Sequence, residues 1–198
     1  MLKIEDFQAI FLIASLVGTL AIASPAFAYL LPPRSSERFS ELYILGPSRR
    51  DEGYPSNVRV NETYGVFLRI GNHMGSSAYY AVYVKLRNQS EPLANATAGT
   101  PSPLPVLYEY RVFLVDGEVW ETPVNFTLRG FSFQGDGCFV ENLVLNGVDM
   151  HVGKMASWHS GGEGYYLQLF FELWLYDFKA ESFSFHNRFV GIWLNITS

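Results

Sequence analysis

The sequence has little cysteine, little positive charge and only one long apolar run, and each shortage excludes a structural feature or a class of function. Cys138 is the only cysteine among the 198 residues, so no disulfide can form within the chain. It enters an apolar run, which predicts a buried small hydrophobe; a free thiol that pairs with a partner chain is the alternative. Lys and Arg total 14 against 19 Asp and Glu, for a net charge of −5. Such a chain lacks a basic surface for nucleic acid, and we expect no nucleic-acid partner.

Catalytic and cofactor motifs are also missing. The chain contains no Gly-x-Ser-x-Gly, no P-loop, no Cys-x-x-Cys and no His-x-His pair. A metal site can be drawn from His151, His159 and Glu163, but a spacing of eight residues across a glycine-rich loop matches no ligand motif. Glu172 lies in an apolar stretch, where we expect a solvent-facing carboxylate or a pair with Arg188 rather than a catalytic acid. The sequence therefore predicts no enzyme, no cofactor and no metal.

The one long apolar run is at the N-terminus. Residues 7–33 carry no charged side chain, and about 20 apolar residues suffice to cross a bilayer as a helix. Two interpretations of residues 1–33 stay open: a signal peptide cleaved between Ala28 and Tyr29, or a retained transmembrane anchor in the cell membrane. Residues 34–38 then form a linker to a domain at 39–198.

Asn-x-Ser/Thr sequons are enriched after this segment, and none has proline in the middle position. Such sequons mark exposed sites of a secreted chain. We therefore expect an extracellular, glycosylated domain, which is secreted if the chain is cut after Ala28. The predicted acceptors are Asn61, Asn88, Asn95, Asn125 and Asn195.

Residues 39–198 have the pattern of an all-β domain. Apolar residues alternate with period two in Thr63–Ile70 and Ala78–Leu86, as in half-buried strands. Asp116-Gly117 and Asn146-Gly147 are hairpin signals. Turns recur roughly every dozen residues, which favours an antiparallel immunoglobulin-like β-sandwich of about eight or nine strands after one N-terminal hydrophobic helix.

Individual segments carry finer predictions. Residues 88–105 form an exposed loop, and residues 155–164 form a glycine-rich loop. The last strand, 182–196, bends near Gly191. We expect the alternating aromatics of the C-terminal strands to fill the core between two sheets. They are Trp174, Tyr176, Phe183, Phe185 and Trp193.

An ordered set of short segments resembles an archaeal membrane-protein family catalogued as domain of unknown function 1616. The resemblance covers about residues 39–198 and implies membrane attachment and a β-rich outer domain, with no established activity. It supplies no catalytic residue. Members of the family often carry several membrane helices, whereas this chain shows one. The segments are Phe39–Pro47, Tyr54-Pro55, Val60–Thr63, Gly71–His73, Tyr80–Leu86, Phe113–Glu118, Phe171–Tyr176 and His186–Arg188.

Three functions are open on the sequence. The favoured one is a cell-surface domain, membrane-anchored or secreted, with a structural or protein-interaction role that includes self-assembly. The second is an accessory subunit of a membrane complex, held by its N-terminal helix through Ser15, Gly18 and Thr19. The third is a carbohydrate- or metal-binding surface protein that uses Trp158, His159 and the loop around them.

Overall fold

The computed structural model describes residues 7, 8, 10–20 and 37–197. The chain divides into two units, Met1–Arg38 and Phe39–Ser198. In the first unit, residues 7, 8 and 10–20 are helical. Within the described residues, none of the helical segments combines the length and apolar character required to cross a membrane. The predicted cleavage site at Ala28 and Tyr29 lies outside the described residues.

The second unit is built from ten strands, which confirms the all-β prediction. Each strand carries the alternating or continuously apolar pattern that a sheet with one buried face requires. The strands are β1 (Phe39–Leu45), β2 (Asn57–Arg59), β3 (Thr63–His73), β4 (Ala78–Asn88), β5 (Tyr108–Leu114), β6 (Val119–Gln134), β7 (Gly137–Leu145), β8 (Val148–His159), β9 (Gly164–Asp177) and β10 (Ser182–Thr197).

The strands form one curled sheet in the order β1-β3-β6-β7-β8-β9-β10-β2, with β4 added to β9 and β5 added to β4. All pairings are antiparallel except the short one between β2 and β10. Strand β8 pairs with β7 over most of its length and with β9 only at Trp158 and His159. It therefore connects the β1-β3-β6-β7 part of the sheet with the β5-β4-β9-β10 part.

A single core lies on the concave side of this sheet. Val66, Leu68 and Ile70 of β3 belong to the same buried cluster as alternate residues of β4, β9 and β10. Cys138 is fully buried in this core, as predicted, and burial raises the pKa of its thiol. A thiol in such surroundings is inert as a nucleophile.

The predicted hairpin at Asp116-Gly117 is wrong. A turn does form there, because Glu118 N donates to Val115 O at 3.1 Å. However, β5 pairs only with β4, whereas β6 pairs with β3 and β7. The turn thus carries the chain from one part of the sheet to the other. The hairpin at Asn146-Gly147 is confirmed, since Leu145 pairs with Val148 on either side of it.

Two other local predictions are corrected. Residues 155–159 belong to β8, so the glycine-rich loop shrinks to the turn between His159 and Gly164. The irregularity in β10 lies between Phe185 and Arg188, not at Gly191. Asn187 has a φ of 54° there, which the short polar side chain of asparagine tolerates. His186 lies within this irregularity, and its Nε2 is 3.0 Å from Oγ of the fully buried Ser40.

The C-terminal aromatics predicted for the core lie on the convex side of the sheet instead. The inward residues of β9 are Leu167, Leu169, Phe171, Leu173 and Leu175, so the even-numbered residues face outward. The outward residues of β9 include Gln168 and Glu172 but are otherwise mostly aromatic, so the alternation alone did not decide which face is buried in the core. The aromatic residues that are fully buried in the core are Tyr80, Phe126 and Phe171.

Candidate functional site

The convex side of β5-β4-β9-β10, here called the outer face, carries most of the unusual chemistry. Its side chains lie in cross-strand rows: Arg111, Ala81, Trp174 and Phe185 form one row, and Arg87, Gln168 and Trp193 form another. Cross-strand neighbours on one face are close enough to interact. The face has three regions: an aromatic patch, a loop that covers its middle, and a pocket at its far end.

The covering loop, residues 89–107, is held by a buried ion pair. Lys85 Nζ lies 2.9 Å from Glu172 Oε2, and these side chains are only 3% and 0% exposed. The loop completes the pair, because Lys85 donates to Ser102 O at 2.6 Å and Ser102 N donates to Glu172 Oε1 at 2.7 Å. Trp174 Nε1 also donates to the carboxylate, at 3.3 Å. The expected pair of Glu172 with Arg188 is wrong, and Lys85 is the partner.

The start of the loop is fixed at a second point. Glu91 forms an ion pair with Lys154 of β8, and Glu91 Oε2 accepts a hydrogen bond from Asn88 N at 2.8 Å. Arg87 donates to the backbone oxygen of Glu91 and to Gln168 Oε1, the latter at 2.7 Å. The loop predicted from composition is confirmed, but it is packed on the sheet rather than free of it.

The aromatic patch lies on the outer face beyond this loop and consists of Tyr79, Phe113, Tyr176, Phe178 and Phe183. The ring centroids of Tyr79 and Phe183 are 5.3 Å apart, and those of Tyr176 and Phe183 are 5.1 Å apart. Phe178 is 67% exposed and Phe113 is 58% exposed. Since large exposed aromatic groups in contact are unusual on a protein surface, this patch is a candidate contact surface.

A charged side chain borders the patch. The guanidinium carbon of Arg111 lies 5.5 Å from the centroid of the Phe183 ring, which is a cation–π distance. Its Nε is also 2.5 Å from Glu109 Oε1 on the same strand. An aromatic centre with an arginine rim has the composition that protein interfaces favour.

The pocket at the other end of the outer face has a volume of about 390 Å³ and is lined by Gln89, His159, Gly162, Tyr166 and Trp193. The rings of His159 and Tyr166 are nearly perpendicular, with centroids 6.0 Å apart. The guanidinium carbon of Arg87 lies 5.0 Å from the Trp193 ring centroid. The pocket thus has aromatic walls that are held in place by neighbouring groups.

A buried polar network lies on the concave, core side of the sheet. Ser40 Oγ is 2.7 Å from Tyr80 Oη and 3.0 Å from His186 Nε2, and Tyr80 Oη donates to Asn72 Oδ1 at 3.1 Å. A serine beside a histidine suggests a nucleophile and its base. Ser40 and Tyr80 are fully buried, however. The network therefore joins β1, β3, β4 and β10 and presents no hydroxyl to a substrate.

The structure separates the residues from which a metal site could be drawn. His151 lies in the middle of β8, where its Nδ1 is 3.3 Å from Asn142 Oδ1. His159 ends the same strand and Glu163 lies in the turn beyond it. Eight residues of strand span roughly 25 Å. In the part of the chain that the structure describes, no group of three acidic, histidine or cysteine side chains could hold a metal ion.

The sequon asparagines fall into two groups by their surroundings. Asn61, Asn95 and Asn125 are exposed. Asn88 donates through Nδ2 to Met155 O at 3.0 Å. Asn195 donates through Nδ2 to Asn57 Oδ1 at 3.1 Å.

Sequence reasoning missed Lys85, Ser102, Tyr166 and Gln89. Lys85 lies on the outward side of β4, and nothing in its local sequence shows that a distant loop buries it. A lysine amid tyrosines and valines in a period-two strand is the one available signal. Trp158 and His159 were expected to act together. Trp158 instead packs on Tyr165, with centroids 5.1 Å apart, while His159 faces the pocket.

Comparison with known proteins gives one family match. A family model described as Domain of unknown function (DUF1616) matches residues 33–135, just over half of the chain. No curated protein matches the chain.

Several solved structures align with the chain at low identity. A chain from the complex of Zinc 2-glycoprotein and Prolactin inducible protein from human seminal plasma aligns with TM-score 0.39 and 10% identity, over 83% of this chain and 100% of that one. The CARDB domain of a Pyrococcus furiosus protein, in complex with di-metal ions, gives 0.41 and 10%, over 84% and 96%. The ASH/PapD-like domain of human CEP192 gives 0.32 and 13%, over 85% and 92%. Similarity at this level assigns no function.

Proposed function

Because the chain belongs to the family described as Domain of unknown function (DUF1616), which names no activity, we propose its function from the geometry of the outer face. The protein is a non-catalytic interaction module of the cell surface. Its N-terminal segment holds it at the membrane, or cleavage after Ala28 releases it, and the domain of residues 39–198 is extracellular and glycosylated. Its curled sheet is an immunoglobulin-like β-sandwich, which the single core shared by both parts of the sheet supports.

The aromatic patch is the observation that carries this proposal. Phe113 and Phe178 each expose more than half of their surface, and burying a phenylalanine side chain is worth roughly 1.5–3 kcal/mol. A partner that covers the patch would recover this free energy. Tyrosine and arginine, which flank these rings at Tyr79, Tyr176 and Arg111, are the residues most often found at interface hot spots. The partner that fits such a surface is another protein.

The test is crosslinking of the full chain in its native membrane, followed by mass spectrometry of the adducts. The double variant Phe113→Asp/Phe178→Asp puts charge into the centre of the patch. We expect its crosslinked adduct to fall at least tenfold, as for loss of interface hot spots worth more than about 1.4 kcal/mol. Both residues are exposed, so the stability of the domain should change little.

The matched control is Phe133→Asp. Phe133 is 52% exposed but lies on β6, away from the patch. Its adduct should match that of the wild type in amount and identity. Equal adducts in all three proteins, or no adduct from the wild-type chain, would refute the proposed contact surface.

A further inference from the structure

The pocket at the far end of the outer face is built from four separate segments. Gln89 follows β4, His159 ends β8, Tyr166 lies in β9 and Trp193 lies in β10. Its volume of about 390 Å³ is within the range of small-molecule sites, about 300–1,000 Å³. Neither the aromatic patch nor the buried ion pair contributes a side chain to it.

The aromatic walls of the pocket are fixed before any ligand arrives. Tyr166 Oη donates to Gly162 O at 2.7 Å, which locks the ring over the turn. A Cβ at Gly162 would lie 2.8 Å from that hydroxyl oxygen, so the turn needs glycine to let the ring approach. Trp193 is held by Arg87 across its ring and remains 39% exposed. Preorganised walls lower the entropic cost of binding.

Polar groups remain available at the rim. Gln89 Nε2 donates to Ser157 O at 3.2 Å, which orients the amide and leaves its Oε1 as an acceptor. The imidazole of His159 makes no hydrogen bond with any described residue and touches the ring of Tyr166. These groups offer both a donor and an acceptor beside an apolar wall.

The charge of the pocket disfavours an anion. Arg87 is the cation next to it, and its hydrogen bonds already go to Gln168 and to the backbone of Glu91. Among the described lining residues there is no unpaired lysine or arginine. The chemistry that remains is an apolar wall with neutral hydrogen-bonding groups, and it suits a ligand with one apolar face and a ring of hydroxyl groups.

We propose that this pocket binds one pyranose ring of a neutral glycan. The C–H face of the sugar lies on Trp193 and Tyr166, and its hydroxyl groups bond to Gln89 Oε1 and to His159. The inference deepens the proposed surface function by naming a ligand class, and only the biological source of the glycan rests on that function. Binding itself is measured without reference to localisation.

Saturation-transfer difference NMR on the full chain tests the proposal. The protein is made in a host that does not attach glycans and kept in a zwitterionic detergent, because glycoside detergents would compete. The probes are the methyl pyranosides of glucose, galactose, mannose and N-acetylglucosamine, each at about 5 mM, since millimolar Kd values are expected for so small a ligand. N-acetyltryptophanamide is the probe for an aromatic ligand.

We expect saturation transfer to the ring protons of at least one pyranoside. Trp193→Ala should reduce it more than tenfold, and Gly162→Ala, which displaces Tyr166, should reduce it as well. Trp158→Ala is the matched control, because Trp158 is 49% exposed and packs on Tyr165 outside the pocket. This variant should keep the wild-type signal.

Three results would overturn the inference: no transfer to any pyranoside, equal transfer in wild type and Trp193→Ala, or transfer only to N-acetyltryptophanamide. None of them bears on the aromatic patch, whose crosslinks depend on Phe113 and Phe178. Conversely, loss of the proposed protein contact leaves the saturation transfer to the pyranosides unchanged. The two proposals therefore fail separately.

Discussion

At the scale of single residues, we expect the surroundings of the asparagine side chain to decide which sequons carry a glycan. A glycan would be attached to Nδ2 of the asparagine. In Asn88 and Asn195 this atom donates a hydrogen bond within the fold. Asn195 is also packed against Gly164, where an added Cβ would lie 2.0 Å from its Oδ1. Asn95 Oδ1 accepts from Ala98 N at 2.9 Å, and its Nδ2 makes no hydrogen bond with any described residue.

We expect glycans on Asn61, Asn95 and Asn125 and none on Asn88 and Asn195. The measurement is glycopeptide mass spectrometry of protein purified from its native membrane, with each Asn→Gln variant as the assignment control. A glycan on Asn195 would contradict the structural argument. An absence of glycans at all five positions would instead remove the support for an extracellular domain.

The bulged residue His186 makes stability depend on pH. Burial, with a smaller contribution from Arg188, lowers the pKa of His186 below its usual value. The unfolded chain therefore binds this proton more readily than the folded one. The stabilisation is complete above the unfolded value near 6.5 and is lost as the pH falls through the lower folded pKa.

Urea denaturation at pH 7.5 and pH 5 checks this dependence. The free energy of unfolding of the wild type should fall towards pH 5, and His186→Gln should show a smaller fall because it has no proton to bind. His151→Gln is the control, since His151 is exposed, and it should follow the wild type. Identical pH profiles for wild type and His186→Gln would show that the histidine does not couple to folding.

The environment of a residue could be predicted where its physical cause was local in the sequence. The burial of Cys138 followed from the apolar run around it, and the pairing of Glu172 followed from the cost of an isolated buried charge. The partner was wrong because Lys85 and Arg188 are both basic and both lie on strands next to β9. Only the register of the sheet and the position of Ser102 distinguish them.

At the scale of elements, the loop of residues 89–107 is part of the outer face and not an appendage. Lys85, Glu172 and Ser102 form a closed set of bonds beneath it. Lys85→Met leaves a carboxylate buried without its cation, which costs about 3–5 kcal/mol. Lys85→Met/Glu172→Leu removes both charges and should recover most of that loss.

Guanidinium denaturation and hydrogen exchange of the Thr100, Ser102 and Leu104 amides measure these effects. The control is Arg50→Met, which breaks an ion pair with Glu52 whose two side chains are 77% and 65% exposed. It should cost less than about 1 kcal/mol. If Lys85→Met were as mild as Arg50→Met, or if these three amides kept their protection, the ion pair would not be what holds the loop.

The composition of an element predicted that the element exists better than it predicted what the element packs against. The prolines and missing periodicity of 88–105 were enough to predict a loop, whereas its attachment depends on a strand 70 residues later in the chain. Similarly, the C-terminal aromatics were assigned to strands correctly and to the core wrongly. The outward face of β9 has only two polar side chains, Gln168 and Glu172, among its aromatic ones, so the period-two pattern marks the outside weakly.

At the scale of the whole molecule, the all-β class followed from turn spacing and composition, but the path of the sheet did not. Asp116-Gly117 is a hairpin signal by local chemistry, yet β5 and β6 belong to different parts of the sheet. Pairing between distant strands is decided by which apolar faces can be buried together, and a two-residue turn contains no information about that. The result is a sheet whose two parts share one core.

This shared core predicts that the domain of residues 39–198 unfolds as one unit. Leu68 of β3 and Leu169 of β9 are both fully buried in the same cluster. Either Leu→Ala substitution should cost about 2–5 kcal/mol.

The test uses two chains, one with Trp120 and one with Trp174 as the single tryptophan, because these report on β6 and β9 respectively. In each, both substitutions should shift a fluorescence transition that coincides with the loss of far-UV circular dichroism. If Leu68→Ala lowered the midpoint at Trp120 and left that at Trp174 unchanged, the two parts of the sheet would be separate folding units joined through β8.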